Sequence, residues 1–283
     1  MDLQLNDKVI MVTGGAGLPG SIGETIVRHI VAEGGIPVIV DKHSRGKKME
    51  QELWDEGHTA LFVEADLTTP EGCQNAVDQA TDHYGRLEGL VNNLGINDGV
   101  GFDHSYEDFI NSLKLNLVHF FAVTKAALPF LKKSSGPIIN IASKVALTGQ
   151  GKTSGYVAAK GGVLALTREW ALELREYEIR VNAIVIAESW TPGYEQWLEN
   201  FDDPETKKSE ITAKIPLKKR MTTPDEVADT VLFLYFGACF SHHRPVCACG
   251  WRLCTPGPRN HLAIKSNISW ARNLLPAFLI YRR

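Results

Sequence analysis

The sequence predicts an α/β fold, a doubly wound parallel sheet in a single domain, on three observations. Short apolar runs alternate with longer amphipathic stretches through about residue 185, a glycine-rich turn joins the first pair, and an acid closes the second apolar run. That alternation is the pattern of strand–helix–strand units around a parallel sheet covered on both faces. A chain of 283 residues can bury one core of this size.

The elements follow in order. Val9-Ile10-Met11-Val12 is the first strand and Ile36-Pro37-Val38-Ile39-Val40 the second; between them residues 21–33 carry Ile22, Ile26, Ile30 and Val31 at helical spacing. Further strands are expected at 60–63, 90–91, 137–141 and 180–185, and helices at 71–84, 106–132 and 155–176. Thr223-Pro224-Asp225-Glu226 opens a last helix with a capping residue, a proline in the first turn and two acids near the positive end of the dipole. This fold calls for one more strand after it, and none is legible.

A formal net charge of −3, from 33 acids and 30 bases without a long run of either sign, lacks the footprint of a nucleic-acid binder. Small-molecule partners are expected instead. The first eight residues are polar and no uninterrupted apolar stretch approaches the ~20 residues that span a bilayer. The expectation is therefore no membrane and a cytoplasmic location.

In such a sheet, ligands sit beyond the carboxyl ends of the strands, and the chemistry-bearing motifs fall there. The first strand runs into Thr13-Gly14-Gly15-Ala16-Gly17-Leu18-Pro19-Gly20-Ser21-Ile22-Gly23 and then a helix. Glycines let the backbone turn tightly against a pyrophosphate, whose charge meets the free N–H groups of the helix N-terminus. A glycine-rich turn can also be only a loop; its position between a first strand and a first helix gives it meaning. Asp41, about 20 residues on, is placed to accept hydrogen bonds from the adenosine ribose and repel a 2′-phosphate. NAD is expected, with NADP left possible because Lys42, Arg45, Lys47 and Lys48 follow; Asp41 could also simply start a turn.

Tyr156 and Lys160 lie four apart, on one face of a helix. A phenol with an ordinary pKa of ~10 needs a fixed cation nearby to act as a base near neutral pH. Ser143 ends the preceding strand, and Asn116 is a polar residue within an apolar helical stretch, either satisfying backbone groups or holding water in a proton path.

Together with Asp66-Leu67 and Asn92-Asn93-Leu94-Gly95, these motifs resemble the short-chain dehydrogenase/reductase family, in order and spacing from residue 6 to about 234. The resemblance implies a Rossmann-type sheet and an oxidoreductase acting on CH–OH groups. It implies catalysis by Asn116, Ser143, Tyr156 and Lys160: Ser143 and Tyr156 grip the reacting oxygen, Tyr156 exchanges its proton, Lys160 binds the nicotinamide ribose and lowers the Tyr156 pKa, and Asn116 keeps a relay water. Gly14, Gly20, Ser21, Ile22, Gly23, Asp41, Asp66, Leu67, Asn93, Gly95 and Thr191 are the implied cofactor residues, and a homo-dimer or homo-tetramer the implied assembly. The chain departs from the family pattern at Ser21 in place of a central glycine, at Leu94 in place of alanine, and at Ile186-Ala187 in place of proline-glycine.

A narrower resemblance, to bacterial L-fucose dehydrogenases, rests on Gly95-Ile96-Asn97-Asp98-Gly99-Val100-Gly101, the segment Leu147 to Tyr156, Leu166-Thr167-Arg168-Glu169-Trp170, Ala187-Glu188 and Thr222-Thr223-Pro224-Asp225-Glu226. It implies oxidation of the anomeric carbon of a free sugar to a lactone. Asn97, Gln150 and Glu188 carry groups suited to sugar hydroxyls, although each could equally cap its own loop. The alternatives are a reductase of another carbonyl substrate, of the 3-oxoacyl type, or a nucleotide-binding protein made inactive by its C-terminus.

That C-terminus stands apart. Cys73 is alone in the first 238 residues, whereas Cys239, Cys247, Cys249 and Cys254 crowd together afterwards with His242 and His243. The spacing fits no regular pair of zinc-ligand turns, so no metal site is expected. Read one base later, codons for Cys239 to Gly257 can encode Ala-Ser-His-Thr-Thr-Gly-Gln-x-Val-x-Val-Asp-Gly-Gly-Tyr-Val-His-Leu-Asp; Trp251 can then yield only glycine. This hidden text resembles the family's closing segment. The expectation is a catalytic domain over 1–234 and an out-of-frame, poorly ordered tail over 235–283 that costs the sheet an edge strand.

Overall fold

The computed structural model describes residues 3–235 and the backbone of 246–249. Residues Met1–Leu253 make one compact unit, and Cys254–Arg283, the other, lies outside the described residues.

The strands are β1 (Val9–Thr13), β2 (Ile36–Asp41), β3 (Leu61–Glu64), β4 (Gly89–Asn92), β5 (Ile138–Ser143), β6 (Val181–Ile186) and β7 (Val246–Cys249), in the order β3-β2-β1-β4-β5-β6-β7. Every pairing is parallel. Successive strand residues point to opposite faces, and the core divides accordingly. Val9 and Met11 of β1 join one cluster with Val181, Ala183 and Val185; Ile10 and Val12 join the other with Ile139, Ile141, Ile184 and Ile186.

The helices are α1 (Ile22–Ala32), α2 (Arg45–Asp55), α3 (Pro70–Tyr84), α4 (Tyr106–Leu113), α5 (His119–Ser134), α6 (Val145–Thr148), α7 (Ser154–Glu173), α8 (Pro192–Leu198), α9 (Pro204–Ala213) and α10 (Pro224–Tyr235). Their starts are written locally. Thr69 accepts from the Gly72 N–H ahead of Pro70 in α3, and Ser105 and Asp108 close a capping box on α4. Thr223 and Glu226 do the same for α10, with the Glu226 carboxylate accepting from the Thr223 N–H at 2.9 Å. The far end of α10 is fastened by the Arg180 guanidinium, which donates to the carbonyls of Leu234 and Tyr235.

Two expectations are corrected. The helix read over 106–132 is interrupted by a π-helical turn, Lys114–Val118, where buried Asn116 ties its amide to one local and one distant backbone group: Nδ2 donates to the Ser112 carbonyl at 3.1 Å and Oδ1 accepts from the Ile96 N–H at 2.8 Å. Inserted turns of this kind recur at functional sites. Second, the strand judged illegible after the last helix is present: β7 pairs with β6, Val246 opposite Ala183 through Cys249 opposite Ile186. Those four positions are where the alternative frame reads x-Val-x-Val, and Val-Cys-Ala-Cys also suits a short apolar strand. The rest of the expected tail, 236–245 and 250–283, lies outside the described residues, as do Cys239, His242, His243 and Cys254.

The sheet order reverses between β1 and β4, and the crevice opens beyond their carboxyl ends, where such folds bind ligands.

Candidate active site

One cleft of about 530 Å³ runs across this switch point. Gly14, Ser21, Ile22, Gly23, Asp41, Asp66, Leu67, Asn93, Gly95 and Thr191 line it together with Ser143, Tyr156 and Lys160. The structure thus brings the residues expected to hold the cofactor to one cleft, apart from Gly20, which borders a neighbouring depression. Lys42 and Arg45, which the sequence leaves able to reach a 2′-phosphate, line the cleft, as does Ile96. His43, Leu115 and Tyr194 line it too, and nothing in their local pattern separates them from loop or core positions.

The glycine turn fits a pyrophosphate. Gly14, at φ +65°, passes so close to the segment just after β4 that an added Cβ would lie 3.0 Å from the Leu94 Cα, and a Cβ on Gly23 would collide with the Gly14 carbonyl. The Ser21 hydroxyl is buried in this turn without a partner, at the open N-terminus of α1, and so offers a donor to a bound anion. Asn93 staples the end of β4 to the turn, donating from Nδ2 to the carbonyls of Thr13 (3.0 Å) and Gly14 (3.1 Å). Asp41 is buried; its carboxylate accepts from the Ala16 N–H at 3.2 Å and the His43 N–H at 3.1 Å. It therefore shapes the turn as well as facing the cleft. Asp66 accepts from the Thr68 hydroxyl at 2.7 Å and N–H at 2.9 Å, which hold its carboxyl below the usual range.

At the other end stand the reacting groups. β5 delivers Ser143 and the start of α7 delivers Tyr156. Burial raises the Tyr156 phenol above its ordinary value; a hydrogen bond with the Ser143 hydroxyl opposes the rise and the Asp98 carboxylate adds to it. Lys160 is buried with Nζ 5.7 Å from the centre of the Tyr156 ring, and it donates to the Ile141 carbonyl at 2.9 Å. The sequence reading has this lysine lowering the phenol's pKa. In the structure burial of both groups wins, and the ammonium itself is pushed down to about 7. Beneath them lies His119, fully buried and driven to about 3 by burial and then by the Lys160 charge.

Asn116 does not line the cleft but sits behind it, hydrogen-bonded to the loop that carries Ile96. The three expected substrate residues stand apart from the cleft wall. Exposed Asn97 accepts weakly from the Gly99 N–H, 3.4 Å away, which is a loop-capping contact. Gln150 is exposed, and Glu188 pairs with Lys144 and keeps its second oxygen buried without a partner. Tyr194 does face the cleft, its phenol raised to about 12 by burial and the Glu188 charge.

The model of the short chain dehydrogenase family matches residues 8–200. L-fucose dehydrogenases of Bos taurus and Mus musculus are 39% and 37% identical over 236 residues, 82% of this chain and 84% of theirs. Among solved structures, aldohexose dehydrogenase of Thermoplasma acidophilum superposes with a TM-score of 0.81 at 27% identity, over 91% of this chain and 98% of that one.

Proposed function

Since this chain belongs to the short-chain dehydrogenase family, an oxidoreductase family acting on CH–OH groups with a nicotinamide nucleotide, we propose that it oxidises the anomeric carbon of a free sugar such as L-fucose to a lactone, with NAD as acceptor. One observation carries the reading: Ser143, Tyr156 and Lys160 share a cleft with the glycine turn and Asp41. The names of the relatives direct it to sugars.

A nicotinamide nucleotide held in this cleft would supply the acceptor for the hydride lost from C1. Tyr156, as phenolate, takes the proton of the C1 hydroxyl, while the Ser143 hydroxyl holds that oxygen in line. Lys160 lies one helical turn further along α7, suited to a ribose hydroxyl. Asn116 fixes the loop over the site and supports a relay of the proton to solvent. The glycine turn, Ser21 and the start of α1 would hold the pyrophosphate, Asp41 the adenosine ribose, Asp66 and Leu67 the adenine, and Thr191 the carboxamide. Asn97, Gln150 and Glu188, which stand outside the cleft wall, are proposed as sugar contacts on the strength of the sugar-dehydrogenase resemblance alone. A panel of sugars with both nucleotides tests the proposal.

We also propose that the reading frame changes near Tyr235, so that 1–234 is the selected catalytic domain and the following residues are unselected. The crowding of cysteines and the hidden family text support this.

A further inference from the structure

A carboxylate that the mechanism above does not use stands two residues beyond Ile96, which lines the cleft. Asp98 lies on the loop between β4 and α4, and this loop is tied at both ends. The Ile96 N–H donates to Asn116 Oδ1 at 2.8 Å, and the Gly155 N–H, at the start of the helix that carries Tyr156, donates to the Val100 carbonyl at 3.0 Å. Gly101 runs so close to residue 152 that an added Cβ would lie 3.1 Å from its backbone. The loop that carries Asp98 is thus tied to Asn116 on one side of it and to the start of the catalytic helix on the other.

Its own contacts are thin. Oδ2 lies 3.5 Å from Asn116 Nδ2 and Oδ1 lies 3.5 Å from the Val100 N–H, both at the long limit for a hydrogen bond. Among the described residues no cation pairs with it. A carboxylate can accept about four hydrogen bonds, so most of its capacity is open. It is half-buried, and its charge reaches the Tyr156 phenol, where it opposes the phenolate the reaction needs. A hydroxyl donor from the substrate would satisfy the carboxylate and screen that charge. A substrate without one would leave it facing the reaction unpaired, the situation in which hydrogen-bonding sites discriminate most strongly.

We propose that Asp98 accepts a hydrogen bond from a substrate hydroxyl on the carbon next to the reacting one, and so selects polyhydroxylated cyclic substrates over compounds lacking that hydroxyl. This rests on the sugar-oxidation reading and names a residue that enforces it.

The test compares kcat/KM for L-fucose and 2-deoxy-L-fucose in the wild type, Asp98→Ala and Asp98→Asn, the last keeping the side-chain volume and one acceptor oxygen for the loop. Wild type should favour L-fucose by at least about tenfold, Asp98→Ala by no more than about threefold, and Asp98→Asn by an intermediate ratio, the change coming from loss of activity on L-fucose. Equal ratios in all three chains overturn the proposal. If the wild type oxidises neither sugar but reduces ketones, the sugar reading fails, and Asp98 is then scored in the same way on 2-hydroxycyclohexanone against cyclohexanone, where equal ratios again overturn it.

Discussion

Lys160 Nζ lies 5.7 Å from the centre of the Tyr156 ring and spends a hydrogen bond on the Ile141 carbonyl at 2.9 Å. The lysine is thereby fixed to the floor of the cleft, one turn of α7 from the phenol, and the two side chains stand as neighbours with separate tasks. Tyr156→Phe should remove only the proton acceptor. Turnover is expected to fall by at least about a thousandfold, while the dissociation constant for NAD, followed by fluorescence titration, stays within about threefold. Retention of most activity would show that another group takes the proton.

Oxidation needs the deprotonated phenol, and both burial and the Asp98 charge raise the Tyr156 pKa. The rate should therefore climb with pH well above neutrality. In Asp98→Asn one of the two raising causes is gone, so the limb should move to lower pH. A limb that stays in place, or moves upward, shows that the Asp98 charge does not act on Tyr156.

Asp41 both faces the cleft and accepts from the Ala16 N–H at 3.2 Å. Asp41→Ala should weaken NAD binding by about tenfold and raise the NADP-to-NAD preference by at least as much, since Lys42 and Arg45 line the same end. An unchanged preference in steady-state kinetics would reduce Asp41 to a turn residue.

His119 gives a pH signature of stability. It stays neutral in the folded chain because its pKa is driven to about 3, whereas in the unfolded chain it takes a proton near 6.5. The unfolded state then binds more protons as pH falls, so stability complete above about pH 6.5 is lost progressively towards pH 3. At pH 5 the cost is about 2 kcal/mol. The melting temperature should drop several degrees more between pH 7 and 5 in wild type than in His119→Gln; parallel curves would show that the histidine is not neutral when folded.

How much was legible follows from where each signal lies. β1, β2, β5 and β6 are apolar runs buried on both faces, and the motifs standing just after them are brought into one cleft. Helix α2 went unread because only Met49 and Leu53 supply its buried apolar side. Helix α9 buries nothing and offered no periodicity. The apolar spacing runs straight through the π-helical turn at Asn116, whose amide is hydrogen-bonded to Ile96, 20 residues away. The substrate side was least legible because it depends on how loops lie against one another: Glu188 is taken up by Lys144, a partner no spacing reveals, while Asp98 is set by ties to α7.

The frame change is tested at the level of the gene. Sequencing codons 230 to 260 should yield codons able to spell the family's closing segment one base later, and the frame-restored chain should melt higher and assemble better than the chain as given. Codons that cannot spell that segment would refute it.

The central claim is tested most directly by incubating the chain with L-fucose, L-galactose or D-arabinose and either NAD⁺ or NADP⁺, following reduced nucleotide by absorbance and product by NMR. The expected result is formation of a sugar lactone with one reduced nucleotide per sugar and a preference for NAD⁺. No oxidation of any sugar, alongside nucleotide-dependent reduction of a 3-oxoacyl substrate, would contradict it.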